Sequence, residues 1–215
     1  MAVLEVGSLP CTCHGPHGPP GFVVLTGGPG AGKTAVLEMA RRALCAHVAL
    51  LPEAASIAFG GGFPRHPTLP GRRAAQRAIF HLQREVERLV VEEGQVAMGL
   101  CDRGSIDGLA YWPGSVAEYW RQIGTSLEAE LARYRAVIHL TTPPPEHGYN
   151  HDNALRIETA REAAAIDDRI LEVWSAHPRR YVLPSTPDFL EKALEAIELI
   201  RLEMPACCTA RPTGA

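Results

Sequence analysis

A glycine-rich stretch between a strand-like segment and a helix-like segment limits most strongly what this chain can fold into. The stretch is GFVVLTGGPGAGKTAVLEMARR, residues 21–42. Phe22 to Thr26 is typical of a buried strand, and Thr34 to His47 carries apolar residues at helical spacing. Glycine weakens regular structure, so four glycines between these segments indicate a backbone with a specific use.

The glycines match a phosphate-binding loop. Gly27, four intervening residues and then Gly32-Lys33-Thr34 fit the pattern G-x-x-x-x-G-K-[ST]. In such a loop the backbone N–H groups and the following helix N-terminus face an anion, and the lysine reaches the β and γ phosphates. The hydroxyl of Thr34 is then placed to ligate Mg²⁺. We predict that a nucleoside triphosphate binds at Gly28, Pro29, Gly30, Ala31, Gly32, Lys33 and Thr34.

Composition narrows the class of protein. The chain has 215 residues, 46% of them hydrophobic, which is enough for one globular domain with a substantial core. A net charge of −3 does not indicate the basic surface that nucleic-acid binding requires. No apolar run approaches the length of a membrane span, and the N-terminus lacks the basic segment of a signal peptide. We therefore expect a cytoplasmic protein.

Strand-like and helix-like segments alternate along most of the chain. This alternation predicts an α/β fold with a mostly parallel sheet covered by helices on both faces. We expect a flexible leader rich in Cys, His, Pro and Gly over residues 1–20, the domain over 21–204 and a tail over 205–215. Segment 57–71 is rich in glycine and proline and is predicted to be a long irregular loop, which is usually functional or disordered.

Both ends of the chain carry cysteines. CTCHGPHG near the N-terminus and Cys207-Cys208 near the C-terminus could jointly offer soft metal ligands. The C-x-C-H spacing is not one of the usual structural zinc patterns, so we favour flexible tails over a metal site. Cys45 and Cys101 lie in apolar segments and are predicted to be small core residues.

An acidic residue ends the apolar segment Val96 to Cys101. Asp102 at that point could hold Mg²⁺ together with Thr34, or it could cap the next helix, and we favour the metal role. Arg103 could bind a phosphate or pair with an acid. Asp107, one helical turn further, is a candidate for the same cleft.

Three further residues are candidates for phosphoryl transfer. Glu53 follows the second strand and could accept a proton from an attacking hydroxyl, or it could simply be an acid at a helix start. Arg156 and Arg161 flank the start of a long helix, and an arginine can stabilise the transferring phosphoryl group. Five residues apart, they point to different sides of a helix. We favour Arg156, since Arg161 could pair with Glu158 or Glu162 on the surface.

Four motifs together resemble a known family. LTGGPGAGKT, LPEAAS, CDRGSIDGLAYW and HDNALRIETAREAAAIDDRILEVWSAHPR, in this order, resemble the AAA_28-type P-loop ATPase/kinase-like domain. That domain is similar to the nicotinamide riboside kinase domain of NadR proteins and, more distantly, to deoxynucleoside kinases. The resemblance implies a five-stranded sheet in the order 2-3-1-4-5 with a lid segment. It also implies that Asp102-Arg103 follows strand 3, that Glu53 follows strand 2, and that Arg156 is a lid arginine.

Three classes of function remain. The first is a kinase that uses Mg²⁺ and ATP, with GTP possible, to phosphorylate a hydroxyl on an unknown nucleoside-like or other small acceptor. The second is a regulatory ATPase or GTPase without such an acceptor, and the third is a metal-binding or scaffold protein. The chain lacks the N-K-x-D motif of guanine-reading switches and is short for an oligomeric motor with a helical lid domain. A lid and an acceptor carboxylate both have candidates, so the first class is favoured.

Overall fold

The computed structural model describes residues 4–11, 13, 17–143, 160–186 and 188–209. The strands are β1 (Glu5–Val6), β2 (Gly21–Thr26), β3 (Val48–Leu51), β4 (Met98–Asp102), β5 (Tyr134–Leu140) and β6 (Arg180–Leu183). The helices are α1 (Lys33–Ala43), α2 (Ala54–Gly60), α3 (Leu69–Glu93), α4 (Asp107–Tyr111), α5 (Val116–Ile123), α6 (Leu127–Leu131), α7 (Ala160–Val173), α8 (Phe189–Glu203) and α9 (Ala206–Thr209). Arg156 and the lid segment predicted after Pro143 lie outside the described residues.

The strands form one sheet in the order β1-β3-β4-β2-β5-β6. The five strands β3-β4-β2-β5-β6 are parallel to one another, and their order is the expected 2-3-1-4-5. Parallel strands bring their carboxyl ends to one edge of the sheet, where open α/β sheets bind ligands. The predicted fold class is confirmed, with one strand more than expected.

The additional strand comes from the leader. Glu5 and Val6 pair antiparallel with β3, and the N–H of Gly7 donates to the carbonyl of Val48 at 2.9 Å. Leu9 then bridges to Cys45. Residues 5–9 of the predicted leader therefore belong to the sheet edge, because β3 offers backbone groups with which this segment pairs.

Helices cover both faces of the sheet. Val23 and Leu25 of β2 face α1 and α8, whereas Phe22 and Val24 face the opposite layer, in the period of two that a strand imposes. The second layer includes α7, whose Ile170 is completely buried, as is Trp174 directly after the helix. Within the described residues, no helix combines the length and the apolar composition that crossing a bilayer requires.

Segment 57–71 is more regular than predicted. Helix α2 continues to Gly60, and Gly62, with φ +92°, lies in the turn that follows it. Helix α3 begins at Leu69, where the hydroxyl of Thr68 accepts a hydrogen bond from the N–H of Gly71. Only residues 61–68 are irregular, because a capping threonine and a proline in the first turn are good helix starts.

Candidate active site

The loop from Gly27 to Gly32 has the conformation that the glycine pattern predicts. Gly27, Gly30 and Gly32 have φ of +137°, +84° and +95°, values that disfavour other residues. A Cβ on Gly27 would lie 2.1 Å from the carbonyl oxygen of Leu140. Gly32 is the N-cap of α1 and supplies no side chain to accept from the first-turn N–H groups. These donors are therefore available to an anion.

Lys33 lies inside the loop. Its Nζ donates to the carbonyls of Gly27 at 3.0 Å and Gly28 at 3.1 Å. Desolvation lowers the pKa of Lys33 to about 8, and the guanidinium of Arg103 contributes to the decrease. Both acceptors are neutral carbonyl groups, so they do not neutralise the charge of a protonated Lys33. The ammonium group can therefore attract phosphate oxygens.

The side chain of Asp167 on α7 forms hydrogen bonds with the phosphate loop and with the end of β5. Its Oδ1 accepts from the N–H of Gly28 at 2.6 Å, and its Oδ2 accepts from the N–H of Thr142 at 2.9 Å. Burial raises the pKa of Asp167, but His139 and these two N–H groups outweigh burial and hold it below its ordinary value. The N–H of Gly28 is therefore engaged by a side chain, and the contact of Gly28 with a phosphate stays a prediction.

Lys192 of α8 supports the same loop. Its buried ammonium donates to the carbonyls of Thr141 at 2.7 Å and Ala31 at 3.3 Å. Neither Asp167 nor Lys192 was predicted from the sequence. The available signal was a charge on an apolar helix face: Asp167 shares a face with Ala163 and Ile170, and Lys192 shares one with Ala196.

Asp102 ends β4 at the carboxyl edge of the sheet. Its Oδ1 is buried and has no hydrogen-bond partner among the described residues, and Ile106, not Asp102, is the N-cap of the next helix. Burial raises the pKa of Asp102 to about 6, with Glu53 adding to the rise and Lys33 opposing it. A carboxylate oxygen without a partner, in a cavity that Thr34 also lines, fits Mg²⁺, which prefers oxygen ligands.

Arg103 and Glu53 connect the ends of β4 and β3. The Nε of Arg103 donates to Oε1 of Glu53 at 2.7 Å, and the hydroxyl of Ser56 donates to Oε2 at 2.5 Å. Burial raises the pKa of Glu53, but Arg103, Ser56 and Lys33 outweigh burial and keep it low. The side chain of Glu53 does not hydrogen-bond to the first N–H groups of α2. This geometry favours a role in the cleft over a role at the start of the helix.

Arg103 is also held in an unusual backbone conformation. Its φ of +69° is the only positive value for a non-glycine residue among those described. Its Nη1 is buried without a hydrogen-bond partner in the described part of the chain. Strain and an unsatisfied donor together mark Arg103 as a candidate ligand-binding residue.

Asp107 lines the cleft but its oxygens are engaged. Oδ1 accepts from the hydroxyl of Thr26, and Oδ2 accepts from the N–H of Gly104 at 2.7 Å. These bonds connect the turn after β4 to the end of β2. The side chain of Asp107 is 4% exposed, against 27% for Glu53, so Asp107 is better suited to positioning this turn than to receiving a proton from a substrate.

One cavity of about 460 Å³ joins the predicted residues. Those that line it are Pro29, Gly30, Lys33, Thr34, Glu53, Asp102, Arg103 and Asp107. The cavity continues between α2 and α3, where its lining includes Phe59, Gln76, Ile79 and Phe80. Arg161 is exposed on α7 and is not part of the lining.

Comparisons with known proteins agree with this architecture. The AAA_28 model, described as an AAA domain, matches residues 22–192, and no curated protein matches the chain. Thymidylate kinase from Candida albicans is 15% identical with a TM-score of 0.57, over 86% of this chain and 92% of that chain. Thymidylate kinase from Ehrlichia chaffeensis is also 15% identical, with a TM-score of 0.56, over 86% of this chain and 99% of that chain.

At this identity the two kinases show the fold alone, whereas the family match spans most of the chain. The protein belongs to the AAA_28 family of P-loop domains.

Proposed function

We propose that the protein is a Mg²⁺-dependent phosphotransferase that passes the γ-phosphoryl group of ATP, or of GTP, to a hydroxyl of a small nucleoside-like acceptor. The supporting observation is the continuity of one cavity from Lys33 and Thr34 into the space between α2 and α3. A protein that only hydrolyses a nucleotide needs only the part of the cavity at the phosphate loop. The additional space between α2 and α3, which opens onto the same loop, suits a second substrate.

The donor side of this cavity has the groups that bind a triphosphate. The first-turn N–H groups of α1 and the ammonium of Lys33 face the phosphates, and the hydroxyl of Thr34 and the free Oδ1 of Asp102 are the proposed Mg²⁺ ligands. The metal supplies charge neutralisation at the phosphate oxygens. Asp167 and Lys192 hydrogen-bond to the backbone of the loop and so fix its position.

The acceptor side combines flat apolar walls with a few polar groups. Phe59, Ile79 and Phe80 provide the apolar surface, and Gln76 offers an amide that can both donate and accept. Arg65, whose guanidinium lies 4.0 Å from the ring centroid of Phe59, adds positive charge to the lining. This mixture suits a planar base with polar edges, attached to a sugar.

Glu53 and Arg103 lie between the two sides. At neutral pH the low pKa of Glu53 keeps it ionised, so it accepts a hydrogen bond from the acceptor hydroxyl and orients it. As the acceptor oxygen bonds to the γ phosphorus and the bond to the nucleoside diphosphate breaks, the hydroxyl proton passes to Glu53. Strong basicity is not needed, because the transition state of phosphoryl transfer is loose. Nη1 of Arg103 lies 3.6 Å from Oδ1 of Asp107 and makes no hydrogen bond among the described residues, so it can donate to a phosphate or sugar oxygen. Arg156 remains the proposed lid arginine that offsets charge on the equatorial oxygens.

The experiment is an acceptor screen that measures ADP or GDP release. Nucleosides, nucleoside monophosphates, nicotinamide riboside and sugars are tested with each donor, and Lys33→Ala serves as the inactive control. The two solved relatives are named for a nucleotide acceptor, thymidylate, so the nucleoside and monophosphate arms come first. Acceptor-dependent release above the basal rate supports the proposal. Basal hydrolysis that no acceptor stimulates favours a nucleotide-dependent regulator instead.

A further inference from the structure

Seven thiol and imidazole side chains meet far from the phosphate loop. They are Cys11, Cys13, His17, Cys45, His47, Cys207 and Cys208. Cys45 and His47 lie in the turn between α1 and β3, at the opposite end of α1 from Lys33. Eleven residues of helix separate these ends, about 16 Å at 1.5 Å per residue. The cluster is therefore not part of the cavity described above.

Four of these side chains have the spacing of a tetrahedral site. Nε2 of His17 lies 3.5 Å from Sγ of Cys13, 3.5 Å from Sγ of Cys207 and 3.3 Å from Sγ of Cys208. Sγ of Cys208 lies 3.6 Å from Sγ of Cys13 and 3.9 Å from Sγ of Cys207. A zinc ion with Zn–S of about 2.3 Å and Zn–N of about 2.0–2.1 Å has ligand atoms about 3.5–3.8 Å apart.

We propose that Cys13, His17, Cys207 and Cys208 bind one Zn²⁺. Three thiolates and one imidazole form a closed ligand set of the kind that structural zinc sites use. Soft sulfur ligands disfavour Mg²⁺ and Ca²⁺, so this metal differs from the one proposed at Thr34 and Asp102.

The remaining side chains form a second group around Cys208. Cys11, Cys45 and His47, together with Cys208, also have ligand atoms within 4.8 Å of one another. Nδ1 of His47 lies 3.7 Å from Sγ of Cys208 and 3.2 Å from Sγ of Cys13. Cys208 belongs to both groups, so the alternative ligand set shares a residue with the proposed one. We assign the metal to the first group because five of its six ligand separations fall near tetrahedral values.

The metal joins the two ends of the chain. Cys13 belongs to the leader and Cys208 to α9, and the two are 195 residues apart. Strand β1 has two residues and α9 has four, lengths that are not stable by themselves. A bond between them closes a long loop and restricts the unfolded chain, so metal binding adds to the stability of folding.

Metal content provides the first test. Full-length protein, purified with a phosphine reductant and without chelators, is analysed by mass spectrometry for zinc per chain. We expect one zinc, at least a tenfold loss of zinc in Cys13→Ser and in Cys207→Ser, and retention in Cys45→Ser. Cys101→Ala is the matched control, because this buried thiol lies in the other core layer. Zinc far below one per chain would overturn the proposal, and loss in Cys45→Ser with retention in Cys13→Ser would reassign the ligands.

A second measurement keeps the test valid if a variant folds poorly. The wild-type protein is stripped with a chelator and refilled with Co²⁺, whose visible absorption reports tetrahedral geometry and thiolate ligation. We expect the Co²⁺ spectrum to show tetrahedral geometry and thiolate ligation. Removal of the metal should lower the unfolding temperature, and added zinc should restore it. The affinity for ATP, measured by calorimetry, should not change. Absence of the tetrahedral thiolate spectrum after Co²⁺ is added to stripped protein, in which thiol titration shows all six cysteines reduced, would contradict the proposal. Activity plays no part in this test, so its result is independent of the proposed kinase function.

Discussion

Asp167 accepts a hydrogen bond from the backbone N–H of Gly28 at 2.6 Å, so a carboxylate on α7 fixes the start of the phosphate loop. The same carboxylate accepts from the N–H of Thr142, just after β5. Helix α7 follows the segment predicted to form the lid. The contact therefore joins α7 to the phosphate loop and to the carboxyl edge of the sheet.

Replacing Asp167 by Asn should destabilise the protein in a way that depends on pH. Two buried N–H donors lose an ionised acceptor, which costs about 1–3 kcal/mol in the free energy of unfolding. The folded-state pKa of Asp167 is lowered, so its stabilisation is complete above the unfolded pKa of about 3.9 and is lost as pH falls through the folded value. Denaturant unfolding of both proteins from pH 7 to pH 3 measures the difference, which should shrink on acidification.

The exposed neighbour provides the control for that comparison. Asp168→Asn changes the same charge on the same helix at an exposed position. Its stability should follow the wild-type protein across the pH range. An equal loss in both variants would mean that the effect comes from helix charge and not from the loop contact.

Lys33→Ala should reduce nucleotide affinity about 10–100-fold. The variant loses a cation whose hydrogen bonds to phosphate oxygens contribute about 1.5–3 kcal/mol. Titration calorimetry with non-hydrolysable ATP and GTP analogues measures the change. Arg42→Ala removes a positive charge from the exposed side of the same helix and should bind as the wild-type protein does.

Asp102→Asn should weaken the response to Mg²⁺ more than the binding of nucleotide alone. The substitution keeps the shape of the side chain and removes the charge of the oxygen that has no protein partner. Activity measured across a Mg²⁺ titration should show a higher half-saturating concentration and a lower maximum. Equal Mg²⁺ curves for variant and wild-type protein would leave Asp102 with a structural role only.

Glu53 and Arg103 should behave as a coupled pair. Glu53→Gln, Arg103→Lys and the double variant form a cycle, and contacting residues typically show coupling of about 0.5–3 kcal/mol. We expect turnover to fall in each single variant, and the double variant to be less impaired than the sum of the two. Acceptor-dependent release of ADP and denaturant unfolding are measured on the same four proteins.

A second ion pair serves as the reference for this cycle. Arg73 and Glu118 lie 2.7 Å apart between α3 and α5, and neither lines the cavity. Glu118→Gln should change stability modestly and leave turnover intact. If Glu118→Gln lowers turnover as much as Glu53→Gln does, the loss of turnover in the Glu53 and Arg103 variants comes from destabilisation of the fold and not from the site.

Features that follow from neighbouring residues could be predicted from the sequence. The glycines, Lys33 and Thr34 form one local pattern, and Glu53 and Asp102 follow strands whose carboxyl ends must share an edge. Contacts between distant residues were not predictable: Gly28 and Asp167 are 139 residues apart in the chain. The pairing of the leader with β3 was missed for the same reason, since Glu5 pairs with Leu50, which is distant in the chain.

The cysteines illustrate a further limit. Zinc ligands are usually recognised by short spacings within one segment, and neither end of the chain has such a spacing. The structure brings Cys13 and Cys208 together through folding of the whole domain. Only their three-dimensional arrangement shows the tetrahedral separations on which the proposed metal site rests.

Arg156 and Arg161 offer a matched comparison for the lid. Arg156→Ala should lower acceptor-dependent turnover at least tenfold, because a well-placed arginine contributes about 10³–10⁵ to the rate of related P-loop enzymes. Arg161 is exposed at the start of α7, and Arg161→Ala should keep the wild-type rate. Steady-state kinetics with saturating nucleotide, together with circular dichroism of each variant, measure the effects. A reversed pattern would move the lid arginine to position 161, and loss in neither variant would remove an arginine from the proposed mechanism.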